Sequence, residues 1–143
     1  MNKYAVTYRT LDVLARTLYG ESRGETLDSR AAVANVILNR AKIGGWWGDT
    51  IETVCLKPWQ FSCWNERDPN LEKLKSVTSA QPVFLECWTI AELAVAGCLH
   101  DKTDGATHYM TVARREKGWP KDWGDPKTPS KHIGAHLFYN DIA

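Results

Sequence analysis

The sequence predicts a mostly helical α+β domain. Three apolar patterns at helical spacing occupy the N-terminal part of the chain, and two short β-prone segments follow towards the C-terminus. The length of 143 residues suits one hydrophobic core, and neither an internal repeat nor a low-complexity tract divides the chain. We therefore expect a single domain that spans residues 1–143.

The first two helices are predicted from apolar residues that recur every three or four positions. The first stripe consists of Leu11, Leu14, Ala15 and Leu18. It leads into Gly20 and Gly24, which are expected to leave room for a ligand to approach. The second helix follows Asp28 or Ser29, either of which can cap its N-terminus, and it ends at the Gly44–Gly45 pair.

A third helix is predicted from Pro82 to Leu99, because proline suits the first turn and apolar residues follow at helical spacing. Shorter helices are predicted near Thr50 to Leu56 and Asn70 to Val77. The rest of the chain contains two β-prone segments and a loop between them: Ala106–Met110, the Gly/Pro/Trp-rich run Gly118–Pro129, and His136–Tyr139.

The composition disfavours several classes of protein. The formal net charge of +1 lacks the basic excess typical of a dedicated nucleic-acid binder. No apolar run approaches the ~20 residues that cross a membrane, and the N-terminus has no apolar segment typical of a secretory signal. We expect no nucleic-acid partner, no stable membrane insertion, a monomeric state and synthesis in the cytoplasm without a signal peptide.

The four cysteines fit neither a metal motif nor a dense disulfide framework. Cys87 and Cys98 are predicted on one helix, about 16 Å apart along its axis, which is too far for a disulfide. Cys55 and Cys63 are able to pair, but free thiols in a reducing compartment are the favoured interpretation.

One acidic residue breaks the pattern of the first helix. At about 100° per residue, Glu21 lies in line with Leu14 and one turn beyond Leu18. An apolar environment raises the pKa of a carboxyl group, and the partial negative charge at a helix C-terminus acts in the same direction. General-acid cleavage of a glycosidic bond requires a carboxylic acid that is protonated near neutral pH. Glu21 is therefore the candidate catalytic acid.

The same pattern allows two other interpretations of Glu21. It can form an ion pair with Arg16, Arg23 or Arg40 at the helix end, and ion pairs are commoner than active sites. If the helix continued, Glu21 and Glu25 would lie one turn apart and could hold a metal or share the roles of a glycosidase pair. A glycine between them disfavours that continuation, so Glu25 is treated as a binding or structural residue.

Four segments stand out in order along the chain: LARTLYGESRGE with AAVANVILNRA, KPWQFSCW, GATHYM and IGAHLFYN. They resemble the opening motif, the P-x-Q-F-S block, the G-A-T-H-Y block and the closing block of the SleB-type cell wall hydrolases, a family known from spore cortex-lytic enzymes and some phage endolysins. The resemblance covers residues 11–140. It implies a lysozyme-like or lytic-transglycosylase-like fold and cleavage of peptidoglycan glycan strands between N-acetylmuramic acid and N-acetylglucosamine.

The resemblance also places the family's catalytic glutamate, the first in G-E-x-R-G-E, on Glu21. The chain departs from the family's pattern in the segment Gly44–Gly48 and in Trp64 after Cys63, and both departures are expected to alter substrate contacts. The sequence contains no peptidoglycan-binding repeat like that of the spore enzymes. We therefore expect the catalytic domain itself to recognise the wall.

Because no second carboxylate is apparent beside Glu21, the sequence favours lytic transglycosylation. Glu21 would protonate the leaving glycosidic oxygen and then accept the proton of the muramic acid C6 hydroxyl, which closes a 1,6-anhydro ring. Hydrolysis by water, as in a muramidase, is the alternative. Neither reaction calls for a metal or another cofactor.

Seven residues are predicted to bind the substrate or shape its cleft: Glu25, Gln60, Phe61, Ser62, Trp64, His108 and Tyr109. Gln60 and Ser62 suit hydrogen bonds to acetamido groups, although a loop that bonds to itself is an equal interpretation. His108 and Tyr109 bring a ring nitrogen and a hydroxyl that suit holding either Glu21 or the sugar.

Other classes of protein remain as alternatives. A non-catalytic glycan-binding module would use the tryptophans without needing Glu21. A zinc amidase or peptidase is disfavoured, because Gly134 interrupts the helical spacing of His132 and His136 and no acidic residue lies between them. The favoured role is a phage endolysin that acts on the wall or in the periplasm after release, with a bacterial remodelling enzyme or a domain of a longer chain as alternatives.

Overall fold

A computed structural model describes residues 3–143, with the side chains of residues 7–143. The helices are α1 (Lys3–Ser22), α2 (Leu27–Ile43), α3 (Ile51–Leu56), α4 (Asn70–Ser76), α5 (Pro82–Val95) and α6 (Val112–Glu116). The strands are β1 (His108–Thr111), β2 (Lys131–Ile133) and β3 (His136–Tyr139). The predicted mostly helical α+β class is therefore observed.

Helix α1 is the central element of the fold. It packs against α2, α3, α4 and α5, because its apolar stripe faces inward and the other helices cover it. Leu14 and Leu18 on this stripe are 0% exposed. The stripe leads to the C-terminal end of α1, so residues just beyond Leu18 on the same face lie close to the core.

The start of α2 differs from the prediction. Thr26, rather than Asp28 or Ser29, is the N-cap, and its hydroxyl oxygen accepts a hydrogen bond from the Ser29 backbone N–H at 3.2 Å. The predicted end is confirmed, because the N–H of Gly44 donates to the Arg40 carbonyl and its φ of 70° suits a residue without a Cβ.

Helix α5 ends at Val95, earlier than the predicted Leu99. The N–H of Gly97 donates to Ala94 and that of Cys98 donates to Leu93, at 3.1 and 2.8 Å, and Gly97 has a φ of 74°. These two bonds form the Schellman motif that commonly ends helices at glycine. Cys98 therefore lies beyond the helix. All four cysteines are free thiols in the structure.

The three strands form an antiparallel sheet in the order β1-β3-β2. β3 was predicted with its observed bounds, whereas the predicted Ala106–Met110 strand begins two residues later, at His108. β2 and α6 were not predicted, because both are too short to produce a periodic pattern. A turn with Gly134 at a φ of 58° joins β2 to β3, so His132 and His136 lie on neighbouring strands rather than on one helix.

Gly20 serves internal packing rather than ligand access, contrary to the prediction. A Cβ at this position would lie 2.7 Å from the Cβ of Cys63 and 3.0 Å from Cδ2 of Leu74. The missing side chain therefore lets the loop that carries Cys63 approach α1. A Cβ at Gly24, in contrast, would meet no atom within 4 Å, so space remains open there.

We expect Gly20→Ala to destabilise the protein by about 1–3 kcal/mol, because the added methyl overfills a packed contact. Gly24→Ala is the matched control, and its free energy of unfolding should stay close to that of the wild type. Urea denaturation followed by circular dichroism measures both. Equal stabilities for the two variants would contradict the packing role of Gly20.

Candidate active site

The Glu21 side chain lies at the end of the central helix and is half-buried. Its Oε1 atom is inaccessible to water and has no hydrogen-bond partner among the described residues. Buried carboxyl oxygens are rarely left without a partner, because the loss of hydration costs free energy. An unpaired oxygen at this position is therefore a candidate for chemistry rather than for structural support.

The surroundings of Glu21 raise the pKa of its carboxyl group above the ordinary 4.5. Burial is the largest cause, and the negative charge of Asp68 adds to it. The neighbouring thiol and backbone N–H of Cys63 favour the charged carboxylate and so oppose this shift, as does the positive charge of Arg40. The net result favours the neutral acid.

The ion pairs considered for Glu21 are not formed in the part of the chain that the structure describes. Arg16 bonds to Asp12 at 3.0 Å and to the backbone carbonyls at the end of α4. Arg23 donates to the Asn70 side chain at 2.8 Å. Arg40 acts on Glu21 only through its charge, without a direct bond between them.

Arg40 is held by aromatic rings and a carbonyl instead of by a carboxylate. It is 6% exposed, and its guanidinium lies 4.1 Å from the ring centre of Trp47 and 5.4 Å from that of Phe61. Its Nε donates to the Thr107 carbonyl at 2.8 Å. Burial lowers the pKa of Arg40 to about 10, so the side chain remains a cation at neutral pH.

Tyr109 and His108 point to opposite faces of β1, as successive strand residues do. Tyr109 stacks on Phe138 with ring centres 5.8 Å apart. Burial raises the pKa of its hydroxyl, and the negative charge of Glu21 adds to this shift. Of the two residues, Tyr109 is therefore the one near Glu21.

His108 belongs to a cavity of about 450 Å³, which we call the His108 cavity. It is lined by Arg40, Trp46, Trp47, Gln60, His108, Asp122, Trp123 and Ala143. The His108 ring lies between Trp47 and Trp123, with centres 5.2 and 4.9 Å away. Burial lowers the pKa of His108 to about 4, and the nearby Arg40 adds to the shift, so the ring is neutral at pH 7. Gln60 and His108, both predicted substrate residues, meet here.

A second cavity of about 700 Å³, the Trp59 cavity, lies on the Asp68 side of Glu21. It is lined by Leu56, Lys57, Pro58, Trp59, Trp64, Asn65, Glu66, Arg67, Asp68 and Pro69. The indole Nε1 of Trp64 donates to the Thr17 hydroxyl at 2.9 Å, which joins this cavity to α1 one turn before Glu21. Glu21 lines neither cavity. Its charged neighbour Arg40 lines the His108 cavity, and its charged neighbour Asp68 lines the Trp59 cavity.

The remaining predicted residues have different surroundings. Phe61 is 2% exposed and lies in the hydrophobic core, so it supports Arg40 rather than facing the substrate directly. Ser62 is exposed at the start of a short 3-10 turn. Glu25 is separated from Glu21 by the end of α1, and its charge acts on His136, whose ring lies 5.5 Å from that of Tyr109. The two glutamates do not form a carboxylate pair.

Several contributors to this site were not predicted from the sequence. Asp68 and Cys63 lie in a loop with no regular pattern, so only folding shows that they approach Glu21. Arg40 was considered only as an ion-pair partner. In residues 7–143 the structure shows no group of three metal-ligating side chains.

The cell wall hydrolase family matches residues 24–139 of this chain. The match begins just after α1, so it does not include Glu21. The chain is 30% identical over 132 residues to the spore cortex-lytic enzyme of Halalkalibacterium halodurans, which covers 91% of this chain and 34% of that protein. The spore cortex-lytic enzyme of Oceanobacillus iheyensis is also 30% identical, over 90% of this chain and 40% of its own length.

A solved structure has the same fold. The catalytic domain of the Bacillus cereus SleB protein superposes with a TM-score of 0.67 and 27% identity, over 91% of this chain and 88% of that domain. This match confirms the predicted lysozyme-like fold class and the resemblance to the SleB family. The chain spans about two fifths or less of the length of the two relatives compared above. With the family match over most of its residues, the chain belongs to the cell wall hydrolase family.

Proposed function

We propose that this protein cleaves peptidoglycan glycan strands between N-acetylmuramic acid and N-acetylglucosamine, with Glu21 as the general acid. The observation that carries the proposal is the buried, unpartnered carboxyl oxygen of Glu21 at the end of α1. Its raised pKa favours the protonated form that a glycosidic oxygen needs, and the two cavities lined by its charged neighbours Asp68 and Arg40 offer room for the strand.

The reaction we favour is lytic transglycosylation. Glu21 gives its proton to the bridging oxygen as the bond from that oxygen to C1 of the muramic acid breaks. The C6 hydroxyl oxygen of the same sugar bonds to C1, and its proton returns to Glu21. The products are a 1,6-anhydromuramic end and a free N-acetylglucosamine C4 hydroxyl, so no water is consumed.

The neighbours of Glu21 have separate tasks in this mechanism. The Cys63 thiol and N–H favour the charged form of the carboxyl group. Asp68 favours the protonated acid before the reaction, and the Arg40 cation favours the carboxylate formed after the first proton transfer. The Tyr109 hydroxyl stays neutral and can donate a hydrogen bond towards the carboxylate or the sugar.

Hydrolysis is the second candidate, and Asp68 is the observation that favours it. No second carboxylate is apparent beside Glu21 in the sequence, yet in the structure the charge of Asp68 acts on Glu21. A glycosidase that uses water commonly needs a second carboxylate to activate the water or to stabilise the transition state. One Asp68 oxygen accepts the Asn70 N–H at 2.8 Å, which fixes this side chain in the lining of the Trp59 cavity.

The biological setting remains a prediction. We propose a phage endolysin that acts on the wall after release, in monomeric form and without a nucleic-acid partner. Among the helices that the structure describes, none has both the length and the apolar character needed to cross a membrane.

Because no metal takes part in the proposed chemistry, a chelator should leave activity unchanged, whereas a zinc amidase would lose it.

Glu21→Gln should reduce the release of soluble glycan fragments from purified peptidoglycan by about 10²–10⁴-fold, because the amide cannot donate the acidic proton. Glu92→Gln, on the exposed side of α5, is the matched control and should retain full activity. Circular dichroism should show an intact fold in both variants. Normal turnover by Glu21→Gln would remove Glu21 from the acid role and would favour a different catalytic residue.

The raised pKa of Glu21 predicts a particular pH dependence of stability. Because the folded-state pKa lies above the unfolded value, its contribution is fully present below about pH 4 and is lost as pH rises through the folded pKa. Glu21→Gln removes this loss, so its melting temperature relative to the wild type should increase from pH 4 to pH 8. A difference that is independent of pH, measured by calorimetry, would argue against the raised pKa.

Product analysis after Asp68→Asn distinguishes the two reactions. For lytic transglycosylation, mass spectrometry should find 1,6-anhydro ends from both wild type and Asp68→Asn. The activity of the variant should also decline at lower pH than that of the wild type, because a charge that raises the pKa of Glu21 is gone. Asp68→Glu keeps the charge and is the control. Reducing ends from the wild type, lost in Asp68→Asn, would establish hydrolysis instead.

A further inference from the structure

The loop between α3 and the Cys63 turn presents one tryptophan in an unusual backbone conformation. The Gln60 N–H donates to the Lys57 carbonyl at 3.2 Å, which closes a four-residue turn with Pro58 second and Trp59 third. Trp59 has a φ of 68°. Proline in the second place and a positive φ in the third are typical of a type II turn, where the third residue is usually glycine. A bulky aromatic residue at this place is strained.

The Trp59 ring has no packing role that explains this choice. Trp59 is 81% exposed, and its ring makes no aromatic or cation–π contact with another residue in the described part of the chain. Trp46 is also exposed, but its ring contacts that of Trp47, and the Lys57 ammonium lies 4.3 Å from the centre of the Trp46 ring. Backbone strain at an exposed residue without packing contacts indicates a role in binding rather than in stabilising the fold.

The Trp59 cavity connects this ring to the proposed catalytic centre. Trp64 lies in the same cavity and is fixed to Thr17, one helical turn before Glu21. Asp68 also lines this cavity, and its charge acts on Glu21. A ligand that contacts Trp59 and extends along this cavity therefore leads towards the acid.

We propose that Trp59 is the stacking platform of a sugar subsite on the Asp68 side of Glu21, where it contacts the apolar face of a pyranose ring of the glycan strand. This inference rests on the proposed function. The C–H groups on one face of a pyranose suit a flat indole, while the ring's hydroxyl and acetamido groups lie at its edge. The cavity supplies polar partners for such an edge, namely Asn65, Glu66 and Arg67. This mixture of apolar wall and few polar groups is typical of small-molecule sites.

Binding measured without turnover tests the subsite. The probe is a preparation of peptidoglycan glycan strands with the stem peptides removed, titrated into Glu21→Gln by intrinsic fluorescence and by calorimetry. Adding Trp59→Ala to the Glu21→Gln variant should raise the Kd about tenfold, whereas Trp59→Phe should retain most of the affinity. Leu85→Ala, an exposed apolar change on α5, is the control and should bind normally.

Trp59→Gly distinguishes the loss of the indole ring from the effect of the strained backbone conformation. Glycine fits the positive φ, so this variant should melt no lower than the wild type and yet bind as weakly as Trp59→Ala. With Glu21 intact, Trp59→Ala should raise the KM for the same strands about tenfold while kcat changes little.

The outcomes distinguish the two proposals. Unchanged Kd and KM in Trp59→Ala, with a wild type that cleaves the strands, would overturn the subsite and leave the proposed function standing. A wild type that neither binds nor cleaves the strands would overturn both. Weaker binding that appears only together with a lowered melting temperature in every Trp59 variant would show a structural role for the ring and would also overturn the subsite.

Discussion

The burial of one carboxyl group at the end of the central helix is the constraint on which the site depends. The apolar stripe of α1 is covered by four other helices, and Glu21 continues that stripe by one turn. The fold therefore places an acid where hydration is incomplete, and burial is the largest cause of its raised pKa. In the proposed mechanism, the chemistry gains from this arrangement at the expense of stability, as is common at active sites.

The contacts that hold Arg40 in place leave the Glu21 carboxyl group without a direct ion pair to Arg40. A buried cation beside a carboxyl group would ordinarily form a direct ion pair, which lowers the pKa of the acid. Arg40 instead donates to the Thr107 carbonyl and lies between the rings of Trp47 and Phe61. Its charge reaches Glu21 without a bond. The aromatic residues around the site thus control the charge balance at the acid as well as the shape of the His108 cavity.

The long helices and the glycine that ends α2 were predictable from the sequence, because helical periodicity and glycine signals are local. The stripe Leu11–Leu18, the stop at Gly44 and the strand His136–Tyr139 were all observed as expected. Errors arose where several local signals competed. Helix α2 is capped by Thr26 instead of the neighbouring candidates, and Gly97 ends α5 before the apolar pattern is exhausted.

The sequence by itself determined the mostly helical fold class, the family and the anomalous position of Glu21, because each depends on spacing along one element or on ordered motifs. Only the tertiary structure decided which residues surround that acid. Cys63 and Asp68 come from an irregular loop, and Tyr109 comes from a strand far along the chain. No periodic signal relates these residues to α1, because their approach depends on how the helices and the sheet pack together. The same packing placed Phe61 in the core and left Trp59 exposed.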